Sequence, residues 1–252
     1  MRFRVHALVT FALAAVILSA AVACAEDPPA APAPAATEHA KAEAAEAAAK
    51  SAAKPAAGVD AVVKSIDAQI AKLAVNKQDP AWRTKLKIPT VAKFDASKSY
   101  YARMVTNKGE MLIKFKPDFA PMHVTNFIYL ARMGYFDGLK FHRVIKGFMA
   151  QGGDPLGTGG GGPGYQFNGE FSPKALHNGP GVLSTANAGP GTDGSQFFIM
   201  FKAYPSLDGK YSIFGQVAEG LETLKKLEAA GNPSDGPPVE PEFISKVTIE
   251  VR

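Results

Sequence analysis

The chain has 252 residues, a net charge of +5 and a mean hydropathy of −0.03, which fits one medium-sized domain with extensions better than two full domains. Its positive charge is spread along the sequence without a dense basic patch, so nucleic acid is excluded as a partner. The single cysteine, Cys24, excludes an intramolecular disulfide and a multi-cysteine metal site.

Residues 1–25 have the features of a secretory signal peptide. Arg2 and Arg4 form a basic start, and the apolar, alanine-rich stretch that follows is short for a membrane span. Small residues around Cys24 fit cleavage by an ordinary signal peptidase. Cys24 also resembles the lipid acceptor of a bacterial lipoprotein, although Ala21 stands where leucine is usual there. We therefore expect export to the periplasm or cell envelope, with simple cleavage and lipid anchoring both open.

Residues 26–58 consist mainly of Ala, Pro, Glu and Lys and contain no large apolar residue, which predicts a disordered linker. The composition changes over residues 59–97. A short amphipathic helix is predicted from the apolar residues at helical spacing, which are Val59, Val62, Val63, Ile66, Ile70 and Leu73. We expect this helix to pack on the following domain or to be a loose appendage, the alternative being pairing with a partner or with itself. Residues 80–97, with Trp82, predict an irregular arm outside that domain.

Residues 98–252 alternate between strand-like segments and glycine-rich loops. A hairpin is predicted over Tyr100–Thr106 and Glu110–Phe115, and a helix from Pro121 to the stop at Gly134. Later strands are expected at 182–185, 197–201, 211–217 and 243–251, with a second helix near Leu221–Glu228. This many strands with two helices predicts a mainly β fold, a closed antiparallel barrel.

The stretch from Phe141 to Asp154 predicts two short strands that meet at the turn Lys146-Gly147. Alternation along the first strand puts Arg143 on the face opposite Val144, and an unpaired guanidinium is costly to bury, so Arg143 should reach the surface. Phe148 and Met149 should stand beside Arg143, with Gln151 one strand step beyond. A fixed cation beside an apolar floor and an amide suits an uncharged peptide ligand and does not suit hydrolysis.

Three ordered blocks, FHRVIKGFMAQGGD at 141–154, STANAGPGTDGSQFFI at 184–199 and SLDGKYSIFG at 206–215, resemble the cyclophilin-type peptidyl-prolyl cis-trans isomerases. The resemblance covers about residues 98–252. It implies an eight-stranded barrel with a helix capping each end, and catalysis of X-Pro rotation in proline-containing peptides and folding proteins. No cofactor and no metal are needed, and we expect a monomer.

Prolyl isomerisation needs only a lower barrier to amide rotation, which is about 18–20 kcal/mol without catalysis. The twisted amide regains a lone pair on the prolyl nitrogen, so a preorganised cation stabilises a feature that the planar ground state lacks. Arg143 is the candidate for this cation, and Phe148 and Gln151 complete the predicted catalytic set. A non-catalytic proline-peptide binding or chaperone module that uses the same pocket is the alternative.

The resemblance also assigns substrate-binding residues. It implies that Phe148, Met149, Phe198 and Leu207 grip the proline ring, with Phe197 facing the core. Gly157 and Thr158 should border a neighbouring substrate residue. The remaining contacts are assigned to the backbone of Ala186, Asn187 and Ala188, to the Gln196 side chain, and to Tyr211 on the rim.

The chain departs from the family pattern at Ser206 and Tyr211, where Tyr211 replaces the histidine of several members, and two further motifs are rejected. Ser206 stands where many cyclophilins have a tryptophan tied to cyclosporin binding, so tight binding of that drug is not expected. The GxGxxG match at 157–162 is followed by Pro163-Gly164 rather than a helix, which makes it a loop and not a nucleotide site. His123, His142 and His177 have no metal-site spacing and are expected to be hydrogen-bonded structural residues.

Overall fold

A computed structural model describes residues 60–252 of the chain. The predicted signal peptide, the linker and the lipidation at Cys24 lie outside the described residues. The helices are α1 (Ala61–Ala71), α2 (Pro121–Arg132) and α3 (Leu221–Ala229), and two short 3-10 helices cover Trp82–Thr84 and Pro205–Leu207. The strands are β1 (Tyr100–Thr106), β2 (Gly109–Phe115), β3 (Arg143–Ile145), β4 (Met149–Gly152), β5 (Val182–Thr185), β6 (Phe197–Met200), β7 (Ile213–Glu219) and β8 (Ile244–Val251).

The eight strands form one antiparallel sheet in the order β3-β4-β6-β5-β7-β2-β1-β8. The sheet curls so that the segment before β3 meets the start of β8, where Phe141 N donates to Glu242 O at 2.9 Å and Ile244 N donates to Leu139 O at 2.8 Å. Helix α2 packs against β7 and β8, and α3 packs against β2, β3 and β4. The predicted mainly β, eight-stranded barrel with its helices is confirmed.

Side-chain alternation decides which residues of the short strands enter the core. Residues that pair directly across strands share one face of a sheet. Val144 pairs with Ala150, Ala150 with Ile199, and Ile199 with Leu183, and all four lie in the main core. Their sequence neighbours therefore point to the opposite face of the sheet.

The seventh strand differs most from its predicted position, by two residues at each end, whereas β2, β6 and β8 differ by one residue at one end. The prediction placed the seventh strand at 211–217, whereas it covers Ile213–Glu219. Lys210 N and Tyr211 N both donate back to the Leu207 carbonyl in the turn after the second 3-10 helix. Tyr211 is therefore held in a turn and not in a strand.

Helix α1 packs on α2. The Asp60 carboxylate caps the helix by accepting from Val62 N at 2.8 Å, and Val62 and Ile66 are buried in the same core as α2. Asp67 accepts two hydrogen bonds of 2.8 Å from Arg132 on α2. Of the two expected arrangements, packing on the domain is the one observed.

The arm that follows α1 is irregular in backbone but buried in part. Its tryptophan, Trp82, lies outside the barrel strands, but it is 8% exposed and packs edge-on against Tyr135 at 6.1 Å. Leu86 and Ala92 are also buried in the main core. The arm therefore packs on the domain with an irregular backbone. No helix within residues 60–252 is long and apolar enough to cross a membrane.

Candidate functional site

A pocket of about 220 Å³ opens on the face of the sheet opposite the main core. Every residue that lines it is a sequence-predicted site residue. The lining consists of Arg143, Phe148, Met149, Gln151, Ala186, Asn187, Phe198, Leu207 and Tyr211.

The strand register places three of these side chains in one row. Arg143 on β3 pairs with Gln151 on β4, and Gln151 pairs with Phe198 on β6. Direct partners lie on the same face, so the guanidinium, the amide and the ring are neighbours on the surface away from the core. Phe197, the neighbour of Phe198 along the strand, faces the main core.

The pocket floor is apolar and fixed. Met149 and Phe198 are 1% and 5% exposed. The Phe198 ring stacks on His177 at 6.0 Å and meets Tyr211 edge-on at 5.5 Å. His177 Nε2 and Nδ1 lie 2.8 Å from Ser184 Oγ and from an Asp208 carboxylate oxygen. These bonds hold the ring that supports Phe198, so the floor is rigid.

The polar edge of the pocket is a chain of hydrogen bonds that starts at Arg143. Its Nε and Nη2 donate to the two carboxylate oxygens of Asp235 at 2.5 and 2.7 Å. Its Nη1 donates to Gln151 Oε1 at 3.2 Å. The Asp235 carboxylate raises the pKa of Arg143 further above its ordinary value. The Arg143 and Asp235 side chains are 35% and 67% exposed, so this ion pair lies at the surface.

The chain of hydrogen bonds continues into the glycine-rich loop. Gln151 Nε2 donates to Gln196 Oε1 at 2.9 Å, and Gln196 Nε2 donates to the Gly159 and Gly161 carbonyls at 2.8 Å each. Gln196 was predicted to bond the substrate through its side chain. In the structure its amide is engaged by the protein, so it supports the loop beside the pocket.

Gly157 and Thr158 lie between Leu156 and Gly159, which line the groove beside the pocket, but are not themselves part of either lining. Their predicted contact with a neighbouring substrate residue stays a prediction. The Asp154 carboxylate accepts from the backbone N–H groups of Leu156, Thr158, Gly159 and Gly161 at 2.6 to 3.1 Å. The loop therefore curls around Asp154. This turns residues 157–158 outward and presents residues 159–164 to the groove.

The groove beside the pocket has a volume of about 650 Å³ and shares Gln151, Ala186 and Asn187 with the pocket. Ala188 and Gln196 also line it. The Asn187 side chain donates to Asp193 Oδ1 at 2.7 Å and accepts from Gly189 N at 3.2 Å. Because its side chain is used in this way, the backbone of Asn187 is the part left to meet a ligand, and the predicted backbone contact stays a prediction.

Comparison with known proteins assigns the chain to a family. A model described as "Cyclophilin type peptidyl-prolyl cis-trans isomerase/CLD" matches residues 101–249, more than half of the chain. The chain belongs to this family.

The chain matches curated relatives over different shares of their own length. Peptidyl-prolyl cis-trans isomerase-like 1 of Gibberella zeae is 44% identical over 57% of this chain and 91% of its own length. Peptidyl-prolyl cis-trans isomerase B of Streptomyces anulatus is 43% identical over 60% of this chain and 97% of its own length. The chain spans only 24% of the longer isomerase-like 2 of Gibberella zeae, at 48% identity over 54% of the chain.

Solved structures agree with this assignment. A cyclophilin-type isomerase from Cryptosporidium parvum superposes with a TM-score of 0.58 at 36% identity and covers 60% of this chain and 98% of its own. A second structure from that organism, with a TM-score of 0.57 and the same coverage, was determined in the presence of the dipeptide Ala-Pro.

The histidines of the cyclophilin domain are structural in two of three cases. His123 lies 2.7 and 2.8 Å from carboxylate oxygens of Glu170 and Asp193. Burial alone would lower the pKa of His123, but the two carboxylates outweigh burial and raise it. Both ring nitrogens of His142 are buried without a hydrogen-bond partner in the described part of the chain, against expectation. Residues 60–252 contain no cluster of acidic, histidine or cysteine side chains that could hold a metal ion.

Sequence reasoning missed Asp235 and Asp154. Asp235 lies in a loop rich in glycine and proline, 92 residues after Arg143, and nothing local marks it as the partner of that guanidinium. Asp154 follows two glycines and precedes a proline. That context is typical of an acidic residue that caps a loop, so this signal was available.

Proposed function

We propose that the chain is a peptidyl-prolyl cis-trans isomerase that accelerates X-Pro rotation in exported proteins. The observation that supports it most strongly is the Arg143 guanidinium at the edge of an open apolar pocket of about 220 Å³. A proline ring can enter a pocket of this size. The apolar floor would hold the ring while the amide before it stays near the guanidinium.

The chemistry follows from what changes during rotation. The planar amide shares its nitrogen lone pair with the carbonyl, and the twisted amide does not. A cation that approaches the prolyl nitrogen therefore stabilises the transition state more than the ground state. Rotation needs no nucleophile and no proton transfer, so the site requires positioning and electrostatics alone.

The Arg143 guanidinium has N–H donors left for the substrate. Within residues 60–252 the bonds to Asp235 and Gln151 use three of the five N–H groups of a guanidinium. Two N–H groups remain for the substrate carbonyl or the prolyl nitrogen. Asp235 holds the fork in a fixed plane, so less side-chain entropy is lost when a peptide binds.

The test is a protease-coupled proline-peptide assay on Arg143→Ala and Arg143→Lys. Removing a preorganised donor costs about 10²- to 10³-fold in kcat for comparable catalytic groups. Arg143→Ala should lose activity on that scale. Arg143→Lys should recover only part of it, because an ammonium cannot keep the planar fork.

Arg132→Ala is the matched control, because Arg132 also makes a bidentate surface ion pair, with Asp67, outside the pocket and groove linings. Its kcat/KM should stay near that of the wild-type chain. Equal rates for the wild-type chain and Arg143→Ala would refute the mechanism. Saturable peptide binding without any acceleration would instead favour the non-catalytic binding module.

We further propose export to the periplasm or cell envelope as the setting of this activity. The basic start and apolar stretch of residues 1–25 support it. Mass spectrometry of the mature N-terminus tests it, because a lipid-modified Cys24 and a simply cleaved chain differ in mass. An intact N-terminus that begins at Met1 in the cytoplasmic fraction would refute export.

A further inference from the structure

The groove beside the proline pocket has one wall that reaches outside the matched family region. Most of its lining comes from residues 151–196, but Thr84 comes from the arm. No charged side chain of residues 60–252 lines it, and Leu156, Pro163 and Tyr165 add apolar surface. The groove therefore suits an uncharged side chain of the substrate.

The arm is in direct contact with the glycine loop that forms this wall. Leu86 N donates to the Pro163 carbonyl at 2.9 Å. Gly164 has a φ of +97°, and a Cβ there would lie 2.5 Å from the Thr84 carbonyl oxygen. Only a glycine allows the arm and the loop to lie this close together.

The arm is anchored on both sides of Thr84. Before it, Arg83 donates to the Tyr135 and Asp137 carbonyls at 2.8 and 2.9 Å, and its guanidinium lies 4.9 Å from the Trp82 ring centre. After it, Leu86 is 6% exposed, and the Tyr129 hydroxyl donates to the Lys87 carbonyl at 2.9 Å. Thr84 is therefore a fixed part of the wall and not a mobile flap.

We propose that the arm is a specificity-determining part of the isomerase site. The backbone around Thr84 fixes the outer wall of the second groove, and Thr84 limits the size of the uncharged substrate side chain that enters it. This inference rests on the proposed function, because it takes the proline-containing peptide as the ligand. It assigns a task at the site to residues that the family match does not include.

The experiment uses the full chain with Thr84→Phe, which adds side-chain volume at this wall, and Thr84→Gly, which removes the side chain together with its hydrogen bond to the Ala81 carbonyl. Thr90→Phe and Thr90→Gly are matched controls, because Thr90 is an exposed threonine of the same arm outside the groove lining. The substrates are peptides with a fixed proline, in which each of the neighbouring residues on both sides is in turn Ala or Phe. The quantity compared is the kcat/KM of the Phe peptide divided by that of the Ala peptide.

At one substrate position Thr84→Phe should lower this ratio by about tenfold or more, since a small change in side-chain volume in a fitted pocket is worth roughly 10- to 200-fold. Thr84→Gly should raise the ratio at the same position, and the Thr90 variants should leave it at the wild-type value. Ratios that stay within about twofold of the wild-type value in both Thr84 variants, or that shift equally in the Thr90 variants, overturn the proposal.

A second variant and a second measurement keep the proposal testable. If Thr84→Phe does not fold, the Thr84→Gly ratio alone decides. Peptide Kd values from calorimetry are measured in parallel. A wild-type chain that accelerates no peptide refutes the proposed function, and the Kd ratios of the same peptide pairs then decide the role of the arm.

Discussion

Ile66→Ala tests whether α1 and the arm belong to the same cooperative unit as the barrel. Ile66 is completely buried and lies in the main core. Truncating a buried Ile to Ala typically costs 2–5 kcal/mol, through lost transfer free energy and the cavity that remains. The better helix propensity of Ala returns at most about 0.7 kcal/mol. We therefore expect the free energy of unfolding to fall by about 2–4 kcal/mol, a large part of the 5–15 kcal/mol typical of a domain.

The assay is urea denaturation of the full chain, followed at two sites. Trp82 is the only tryptophan of the chain and lies on the arm, so its fluorescence reports the arm, while far-UV circular dichroism reports the helices and strands of the described residues together. Both transitions should move together to lower urea with an unchanged m-value. Lys64→Ala, an exposed change on the same helix, should stay within about 0.5 kcal/mol of wild type.

Two results would contradict this reasoning. In the first, Ile66→Ala would unfold with the wild-type free energy. In the second, the Trp82 transition would shift while the circular dichroism transition stayed in place. Either result would make α1 and the arm an appendage that docks without stabilising the barrel.

Three further outcomes are expected. Gly153→Ala should destabilise the chain by several kcal/mol in urea denaturation, because its Cβ would lie 2.2 Å from the Ser195 carbonyl oxygen, whereas Gly138→Ala, at a similar positive φ with no atom within 4 Å, should cost about 1 kcal/mol; equal losses would contradict the steric argument. Burial raises the pKa of Glu242 from 4.5 to about 8, so the folded state favours the protonated form and the free energy of unfolding should fall as pH rises from about 4.5 to about 8. Glu242→Gln should remove this loss of unfolding free energy between pH 4.5 and 8. Parallel profiles of unfolding free energy against pH for the wild-type and Glu242→Gln chains would contradict this role of Glu242. Asp154→Asn should speed amide hydrogen exchange over 156–161, because a neutral amide holds the loop N–H groups less strongly than a carboxylate; unchanged protection would show that the loop is held by other contacts.

Local patterns in the sequence determined the elements of this protein and the faces of its strands. Side chains alternate along a strand whatever the partner strand is, so Phe197 inward and Phe198 outward could be assigned from the sequence and the family blocks. Pro121 at the start of α2 and the close turn before Gly109 are also short-range effects. Because the site residues cluster in three short blocks on such strands, most of the pocket lining could be predicted.

Tertiary structure alone decided what surrounds that pocket. Asp235 reaches Arg143 across 92 residues, and the arm reaches the glycine loop through the Leu86 N–H and the Thr84 backbone. Every residue type has a backbone C=O and all but proline have an N–H, so the backbone contacts of the arm leave almost no trace in the sequence. The Asp235 carboxylate is visible in the sequence, but its partner 92 residues away is not. Such contacts exist only once the fold has set the distances between distant segments, and those of the arm place Thr84 in the wall of the second groove.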